Sequence, residues 1–202
     1  MDTTCDFNPL KEELKSRMQG IVLRLQHTLQ ELEQENQCLL NEFEQIREEI
    51  SRSEALAASF YLKCYLSSYT DKYSEISRTV RNLSERRYGA LIVVQREDTL
   101  DRLMTPGVLI GANLTHALLE SVFIPGGPLH DGAVLIRRNQ IVSASNVLPL
   151  SETAATDKKL GTRHRAALGL SERSDALVIV VSEETGRASF SLQGNLFAFA
   201  VQ

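Results

Sequence analysis

The apolar residues in the first third of the chain recur at the spacing of packed helices. Over residues 14–32 they alternate steps of four and three, which predicts an amphipathic helix that begins near Pro9. The same spacing resumes over residues 39–50 in a different phase. We therefore expect the first helix to end, and a second helix to begin, around residues 33–37.

A third helix is predicted where the second one reaches a short polar run. Ser51 and Glu54 have the spacing of a capping box, so we expect a new helix over residues 53–68. The apolar face would serve a coiled coil, a helical hairpin or a lid, and helical packing or oligomerisation is the simplest interpretation. We predict that residues 1–70 form an N-terminal helical region for regulation or oligomerisation, and that residues 71–202 form a second domain.

From Gly89 onward, apolar runs that are typical of strands replace the helical spacing. Residues 90–94 and 176–181 are continuously apolar, as in strands that are buried on both faces. Two further apolar runs flank Arg138-Asn139, which predicts a hairpin. Buried strands mixed with hairpins and helices predict an α/β fold, with a mixed central β-sheet flanked by helices and an N-terminal α-helical appendage.

Composition and charge argue against several classes of protein. Among 202 residues, 43% are hydrophobic and 24% are charged, which is typical of a globular chain. A net charge of -4 argues against a general nucleic-acid binder. The longest apolar runs are far shorter than the ~20 residues that cross a bilayer, and the polar N-terminus lacks the apolar core of a signal peptide. We therefore expect a cytoplasmic protein that binds neither membrane nor nucleic acid.

Asp131 is the first candidate for chemistry, because it lies in a Gly/Pro-rich loop directly before an apolar run. It stands between His130 and Gly132, and residues 133–136 are expected to form a buried strand. A carboxylate there would hold a divalent cation and help to deprotonate an attacking hydroxyl, with His130 as a second metal ligand. Asp-Gly is also among the commonest turn dipeptides, so a plain turn is the alternative interpretation.

A basic helix start is the second candidate. Arg163 and Arg165 bring two fixed positive charges to the positive end of a helix predicted over residues 163–171, which is unfavourable unless an anion binds there. A phosphate suits this helix start, because its oxygens accept hydrogen bonds from the arginine guanidinium groups, the Thr162 hydroxyl and the free first-turn N–H groups. Opposite Asp131, this arrangement suits a metal-bound polyphosphate, and the alternative is a solvated basic helix start.

Ser182, Glu183 and Glu184 form the third candidate, since they follow the buried strand predicted over residues 176–181. Ligands collect at such strand ends in α/β sheets, although turn chemistry explains the same residues equally well. Neither the G-x-x-x-x-G-K-[ST] phosphate loop nor a G-x-G-x-x-G motif after a strand occurs in the sequence. A nucleotide would therefore be bound without the common phosphate loops.

Together these segments resemble the diadenylate cyclase domain, the DisA N-terminal domain family. The resemblance rests on Asp131-Gly132-Ala133, on residues 161–169 with their Thr-Arg-His-Arg run, on residues 180–186, and on a first strand that opens Gly89-Ala90-Leu91. It covers residues 76–201 and implies that residues 71–202 are the cyclase domain. Members of this family condense two ATP molecules into cyclic di-AMP and two pyrophosphates. The N-terminal helices resemble those of the soluble, sporulation-associated bacillus type of the family.

The resemblance implies a role for each matching residue. Asp131 would activate the ribose 3′-hydroxyl beside or through a divalent metal, for which Mn²⁺, Mg²⁺ and Co²⁺ all suit oxygen and imidazole ligands. The implied catalytic residues are Asp131, Arg163, His164 and Arg165. The implied ATP contacts are Gly89, Ala90, Leu91, Gly132, Ala133, Leu148, Thr162, Ser182 and Glu183. The implied metal ligands are His130, Asp131 and Glu184.

The resemblance also implies an assembly, because the product contains two equivalent phosphodiester bonds. If each domain holds one ATP, two domains must meet face to face, so that each 3′-hydroxyl is in line with the other α-phosphorus. We therefore expect an inactive monomer and an active homo-oligomer, either a hexamer or another assembly of dimers. The N-terminal helices would restrain activity by holding the sites apart. The alternatives are a catalytically silent nucleotide-binding sensor with the same fold and a helical scaffolding protein.

Overall fold

The computed structural model describes residues 8–31, 39–152 and 160–200 as five helices, seven strands and the loops between them. The helices are α1 (Asn8–Glu31), α2 (Leu39–Ser67), α3 (Tyr73–Arg86), α4 (His116–Val122) and α5 (Thr162–Ser171). The strands are β1 (Ala90–Gln95), β2 (Val108–Asn113), β3 (Ala133–Arg137), β4 (Gln140–Asn146), β5 (Leu177–Val181), β6 (Ala188–Leu192) and β7 (Asn195–Ala198). The helix break expected at residues 33–37 lies outside the described residues.

The seven strands form one mixed sheet in the order β2-β4-β3-β1-β5-β6-β7. β1 and β3 run parallel, and every other neighbouring pair is antiparallel. One hydrophobic cluster joins the sheet to α2, α3 and α4, and a second joins its other face to α5. The predicted α/β fold, with a mixed sheet flanked by helices, is confirmed.

The directions of the three central strands bring distant segments to one edge of the sheet. Ala90, the first residue of β1, pairs with Val181, the last residue of the antiparallel β5. β1 and β3 run parallel, with Ile92 opposite Val134. Consequently, the residues before β1, the residues before β3 and the residues after β5 meet at the same edge.

The predicted third helix is not a separate element, because α2 continues through Ser51 and Ser53 to Ser67. The Ser53 hydroxyl donates a hydrogen bond at 2.8 Å to the carbonyl oxygen of Glu49, one turn earlier. A serine that bonds back into its own helix is a helix-interior residue and does not cap a new one. The capping box predicted at Ser51 is therefore wrong.

The N-terminal half of α2 forms a helical hairpin with α1, one of the three arrangements that the sequence left open. Arg24 of α1 lies 3.8 Å from the carboxylate of Glu42 and 3.3 Å from that of Glu49. Ile21 of α1 and Ile46 of α2 are buried. Within the part of the chain that the structure describes, no helix is both long enough and apolar enough to cross a membrane.

The C-terminal half of α2 belongs to the core of the sheet. Ala58, Leu62 and Leu66 lie in the same hydrophobic cluster as residues of β1 and β5. The Ser59 hydroxyl lies 3.0 Å from the carbonyl oxygen of Ala200 and accepts a hydrogen bond from its N–H at 3.1 Å. The boundary at residue 70 stays a prediction, while the hydrophobic core of the sheet reaches back to Ala58.

We expect Leu66→Ala to lower the free energy of unfolding by about 2–5 kcal/mol, because it leaves a cavity at a fully buried position. Chemical denaturation of the full-length protein, followed by circular dichroism, measures this change. Leu40→Ala is the matched control, since Leu40 lies on the same helix but is 76% exposed. The control should change stability by less than about 0.5 kcal/mol. Equal losses in both variants would show that the end of α2 does not belong to the core.

Candidate active site

The Asp131 loop and the start of α5 face each other across one groove. The groove consists of two adjoining cavities of about 490 Å³ and 1080 Å³, which share Asp131, Thr162 and Arg163. The smaller cavity, the apolar lobe, is also lined by Leu91, Val147, Leu148, Leu150 and Ala166. The larger cavity, the polar lobe, is also lined by His164, Ser182, Glu183, Glu184, Arg187 and Ser189. The structure confirms that the carboxylate loop lies opposite the basic helix start.

Asp131 is presented to the groove by a tight glycine turn. Its Oδ1 accepts a hydrogen bond from the N–H of Gly132 at 3.0 Å, and Gly132 has a φ of 91°. A Cβ on Gly132 would lie 2.8 Å from the carbonyl oxygen of Asn146, so both the backbone angle and the space require glycine. The Asp131 side chain itself is exposed. The turn and the functional interpretation are therefore compatible, because the turn holds the carboxylate toward the groove.

Asn146 supports this turn from behind, although it is absent from the residues predicted from the sequence. Its side chain is fully buried and donates a hydrogen bond to the carbonyl oxygen of Ala133 at 2.8 Å. Its Oδ1 accepts hydrogen bonds from the N–H of Gly107 at 3.0 Å and from the hydroxyl of Ser143 at 2.9 Å. One amide thus joins β3, β4 and the loop before β2. Its sequence signal is weak, since an asparagine at a strand end usually indicates a turn.

His130 has one ring nitrogen engaged by the backbone. Its Nδ1 lies 2.5 Å from the carbonyl oxygen of Gly127. Because a carbonyl oxygen only accepts hydrogen bonds, Nδ1 donates this one, and Nε2 is the ring nitrogen that would bind a metal. His130 lines neither lobe. Its role as a metal ligand therefore stays a prediction.

The guanidinium of Arg163 lies across the residue before β1. A Cβ on Gly89 would lie 2.2 Å from Nη1 of Arg163, so the arginine reaches the groove only past a glycine. The same Nη1 donates a hydrogen bond to Oε2 of Glu183 at 2.8 Å. Gly89 therefore positions the arginine, and a direct contact between Gly89 and ATP stays a prediction.

Of the other basic residues at the start of α5, His164 faces the groove and Arg165 does not. His164 lines the polar lobe, and its burial lowers its pKa from 6.5, although the charge of Glu184 acts in the opposite direction. The ring is therefore neutral at pH 7. Arg165 lines neither lobe, and its buried Nε has no hydrogen-bond partner among the described residues. The predicted cluster thus reaches the groove through Thr162, Arg163 and His164 alone.

The remaining predicted contacts divide between the groove and the core. Those that line the groove are Leu91, Leu148, Ser182, Glu183 and Glu184. Ala90 and Ala133 are fully buried and line neither lobe. Alternate residues of a strand face opposite sides of the sheet, so Leu91 reaches the apolar lobe while Ala90 packs in the cluster on the other face.

A preformed metal site is not found within residues 8–31, 39–152 and 160–200, where no three histidine, cysteine, aspartate or glutamate side chains converge. The structure therefore does not assemble His130, Asp131 and Glu184 around one point. Asp131 and Glu184 do both line the polar lobe. Because Mg²⁺ is commonly bound by one or two carboxylates together with substrate phosphates, these two residues fit a metal that arrives with a nucleotide.

Two charged residues line the polar lobe although the sequence did not predict them. Arg187 directly precedes β6, and Glu54 lies on α2. Glu54 reaches the lobe because the C-terminal half of α2 packs against the sheet. In the sequence, Arg187 follows Glu183 and Glu184 after a Thr-Gly turn. This closeness to two predicted site residues was the one local signal that Arg187 lies near the groove.

Comparisons with known proteins identify the family. Residues 77–196 match the family described as DisA bacterial checkpoint controller nucleotide-binding, and residues 1–69 match the one described as Diadenylate cyclase CdaS, N-terminal. The chain is 47% identical to the Diadenylate cyclase CdaS of Bacillus thuringiensis, over 95% of this chain and 98% of that protein. It is 43% identical to the Cyclic di-AMP synthase CdaS of Bacillus subtilis, over 94% of this chain and 91% of that protein.

Solved structures agree with these matches. A crystal structure of a hypothetical membrane spanning protein from Bacillus cereus is 47% identical, with a TM-score of 0.80 over 96% of this chain and 95% of that one. A double mutant of DacA from Staphylococcus aureus is 44% identical, with a TM-score of 0.60 over 63% of this chain and 85% of that one. The predicted family, its CdaS type and the predicted enzyme class are thereby confirmed. The chain belongs to the diadenylate cyclase family of nucleotidyltransferases.

Proposed function

We propose that this chain condenses two ATP molecules into cyclic di-AMP and two pyrophosphates, with one ATP in the groove of each of two paired domains. The observation that carries the proposal is the division of the groove into lobes that meet at Asp131, Thr162 and Arg163. A nucleotide has the same division into an apolar base, a ribose and a charged phosphate tail. The names of the two CdaS relatives point to the same reaction. A cytoplasmic location, without membrane or nucleic acid as partner, stays a prediction.

The base would lie in the apolar lobe. Leu91 and Leu148 are both buried and line it, so the base would lie against aliphatic side chains. Small-molecule sites commonly combine such apolar walls with a few polar groups that fix the orientation of the ligand. Here the nearest charged groups, Asp131 and Arg163, lie where the two lobes meet. A nucleotide held in this way would direct its ribose and phosphates toward the polar lobe.

The phosphates would lie in the polar lobe, beside the start of α5. The N-cap of this helix is Gly161, which offers no capping side chain, and the first turn contains no acidic residue. Its N–H groups and the positive end of the helix dipole therefore suit an anion. Arg163 adds a guanidinium that binds two phosphate oxygens at once. Its ion pair with Glu183 would hold it in place until the nucleotide arrives.

Asp131 would act as the base where the two lobes meet. As the ribose 3′-oxygen attacks the α-phosphorus of the opposite ATP, its proton passes to the carboxylate. The new oxygen–phosphorus bond replaces the bond to pyrophosphate, whose charge Arg163 and the N–H groups of α5 stabilise. The neutral His164 adds a hydrogen-bond donor to the same lobe. A second, equivalent step closes the ring.

A divalent metal, Mn²⁺, Mg²⁺ or Co²⁺, is part of this proposal. Asp131 and Glu184, the two candidate carboxylates of the polar lobe, would hold it together with phosphate oxygens. When bound, the metal supplies positive charge that neutralises the phosphates during transfer. His130 would offer Nε2 as a further nitrogen ligand, because its Nδ1 is engaged by the backbone.

Pairing of two domains is the second part of the proposal. One groove offers one Asp131 and one start of α5, whereas the product contains two equivalent phosphodiester bonds. Val147 and Leu150, on the wall of the apolar lobe, are 62% and 42% exposed. Exposed apolar residues that border a site are typical of surfaces that associate. We infer a homo-oligomer built from face-to-face dimers, such as a hexamer, in which the isolated monomer is inactive.

Restraint by the N-terminal helices is the third part, and α2 would exert it. Glu54 lines the polar lobe, and this part of α2 is held in place by the packing of Ala58 in the core and by the hydrogen bonds of Ser59 with Ala200. A carboxylate at this position repels the phosphate tail of a nucleotide. The helical region would therefore lower the affinity for ATP even before it affects the pairing of domains.

We expect the full-length protein to form cyclic di-AMP from ATP and Mn²⁺, and Asp131→Asn to lower kcat by about 100-fold or more, because an amide does not accept the proton. Mass spectrometry of the product measures both. Asp101→Asn, which changes another exposed aspartate outside the groove, should leave kcat unchanged.

Two outcomes would contradict this prediction. Equal rates in the native protein and in Asp131→Asn would exclude Asp131 as the base. No product from the native protein, together with a higher melting temperature in the presence of ATP, would support the silent sensor instead.

We expect Gly89→Ala to weaken ATP binding while the protein stays folded. The new Cβ would meet the end of the Arg163 side chain, which is flexible enough to move away from the groove. KM for ATP should then rise about tenfold, the size expected for losing a hydrogen bond to a charged group. Gly20→Ala is the control, because a Cβ there meets nothing within 4 Å. A lower melting temperature with an unchanged KM would contradict the positioning role of Gly89.

We expect Glu54→Gln to lower KM for ATP about two- to fivefold, the size expected for one solvent-screened charge. The difference should disappear at about 1 M salt, where the Debye length is only ~3 Å. Glu48→Gln makes the same change on the same helix, at a residue that pairs with Arg52 on the surface. If both variants have the same KM, then Glu54 does not act on the groove.

A further inference from the structure

The polar lobe contains three basic side chains that differ in how far their charge is already balanced. Arg163 is in an ion pair with Glu183, at 2.8 Å between Nη1 and Oε2. His164 is half-buried and carries an imidazole, which unlike a guanidinium is not a fixed charge. Arg187 forms no ion pair with any residue in the ranges 8–31, 39–152 and 160–200. Among the described residues, the fixed positive charge of this lobe that is still unbalanced is therefore that of Arg187.

The backbone of Arg187 is held firmly in a turn. Its N–H donates a hydrogen bond to the hydroxyl of Thr185 at 3.2 Å, and its carbonyl oxygen accepts one from the N–H of Ser182 at 2.9 Å. The turn itself is attached to α3, because the hydroxyl of Ser84 donates to the carbonyl oxygen of Gly186 at 2.5 Å. The exposed side chain thus projects from a fixed point. Such a residue loses little backbone entropy when it binds a ligand.

Position along the groove distinguishes Arg187 from Arg163. Arg163 lines both lobes and so lies where they meet, whereas Arg187 lines the polar lobe alone. A nucleotide whose base occupies the apolar lobe passes Arg163 first and extends its phosphate tail into the polar lobe. The phosphate farthest from the base is then the one that comes nearest to Arg187.

We propose that Arg187 is a further substrate-binding residue, which contacts the terminal phosphate of ATP and so distinguishes ATP from ADP. The inference rests on the proposed function, because it takes the groove as the ATP site. A guanidinium suits this task, since its planar fork binds two oxygens of one phosphate. ADP lacks the third phosphate and would end before reaching Arg187.

Arg187→Gln in the full-length protein tests this proposal, with ATP as substrate and ADP as competitive inhibitor. We expect KM for ATP to rise about tenfold, because a charge-assisted hydrogen bond is lost, while Ki for ADP changes less than twofold. Arg187→Lys keeps the charge but not the planar fork. Its KM for ATP should therefore lie between those of the native protein and of Arg187→Gln. Arg173→Gln removes an exposed arginine that lines neither lobe and should change neither constant.

Two outcomes of these measurements would overturn the proposal. Equal weakening of ATP and ADP would show that Arg187 acts as a general surface charge, and unchanged constants would show that it is simply solvated. Calorimetric binding of ATP and ADP to the same variants gives the answer independently of turnover. If the native protein forms no cyclic di-AMP, the proposed function fails. If Arg187→Gln then binds ATP more weakly but ADP equally well, the role of Arg187 in binding the terminal phosphate is still supported. Arg187→Lys keeps the test valid if Arg187→Gln does not fold.

Discussion

Strand direction at the centre of the sheet is the constraint on which the site depends. Because β1 runs parallel to β3 and antiparallel to β5, segments from three distant parts of the chain end at one edge. Asp131 lies just before β3, Glu183 lies just after β5, and Gly89 precedes β1 between them. β5 is buried along its whole length, and β1 is buried up to its last residue. A slip in register would move their side chains out of the two clusters that they pack into, so the stability of the core maintains the geometry of the site.

At this edge of the sheet, the charge of Arg163 is balanced by an ion pair that a bound phosphate could replace. In the free protein Arg163 is held by Glu183, whose side chain is 64% exposed. Exposed ion pairs contribute little stability, so the proposed phosphate ligand would displace this one at small cost. The start of α5 carries no acidic residue that would occupy its N–H groups. The start of α5 therefore leaves its N–H groups to an anion, as the proposed ATP site requires.

α2 links the helical hairpin to the groove, because one continuous helix belongs to both. Its N-terminal half packs with α1, its C-terminal half lies in the core, and Glu54 stands between them. A movement of the hairpin would reach the polar lobe through a rigid element instead of a flexible linker. The spacing of Ser51 and Glu54 predicts a helix break by local chemistry alone. The burial of Ala58, Leu62 and Leu66 explains why the helix continues, since it stabilises the far end of the same helix.

The sequence by itself was enough to predict the element types and the chemistry that is proposed for the site. Buried strands, hairpins and a basic helix start are signals carried by residues close together in the chain, and they were enough to predict the mixed sheet and an anion site opposite Asp131. Only the tertiary structure decided which side chains reach that site. Arg165 does not line the groove although it belongs to the motif, while Arg187 and Glu54 reach it from a turn and from α2. The physical reason is that a groove is formed by contacts between distant segments, such as Gly89 beneath Arg163, which local spacing does not specify.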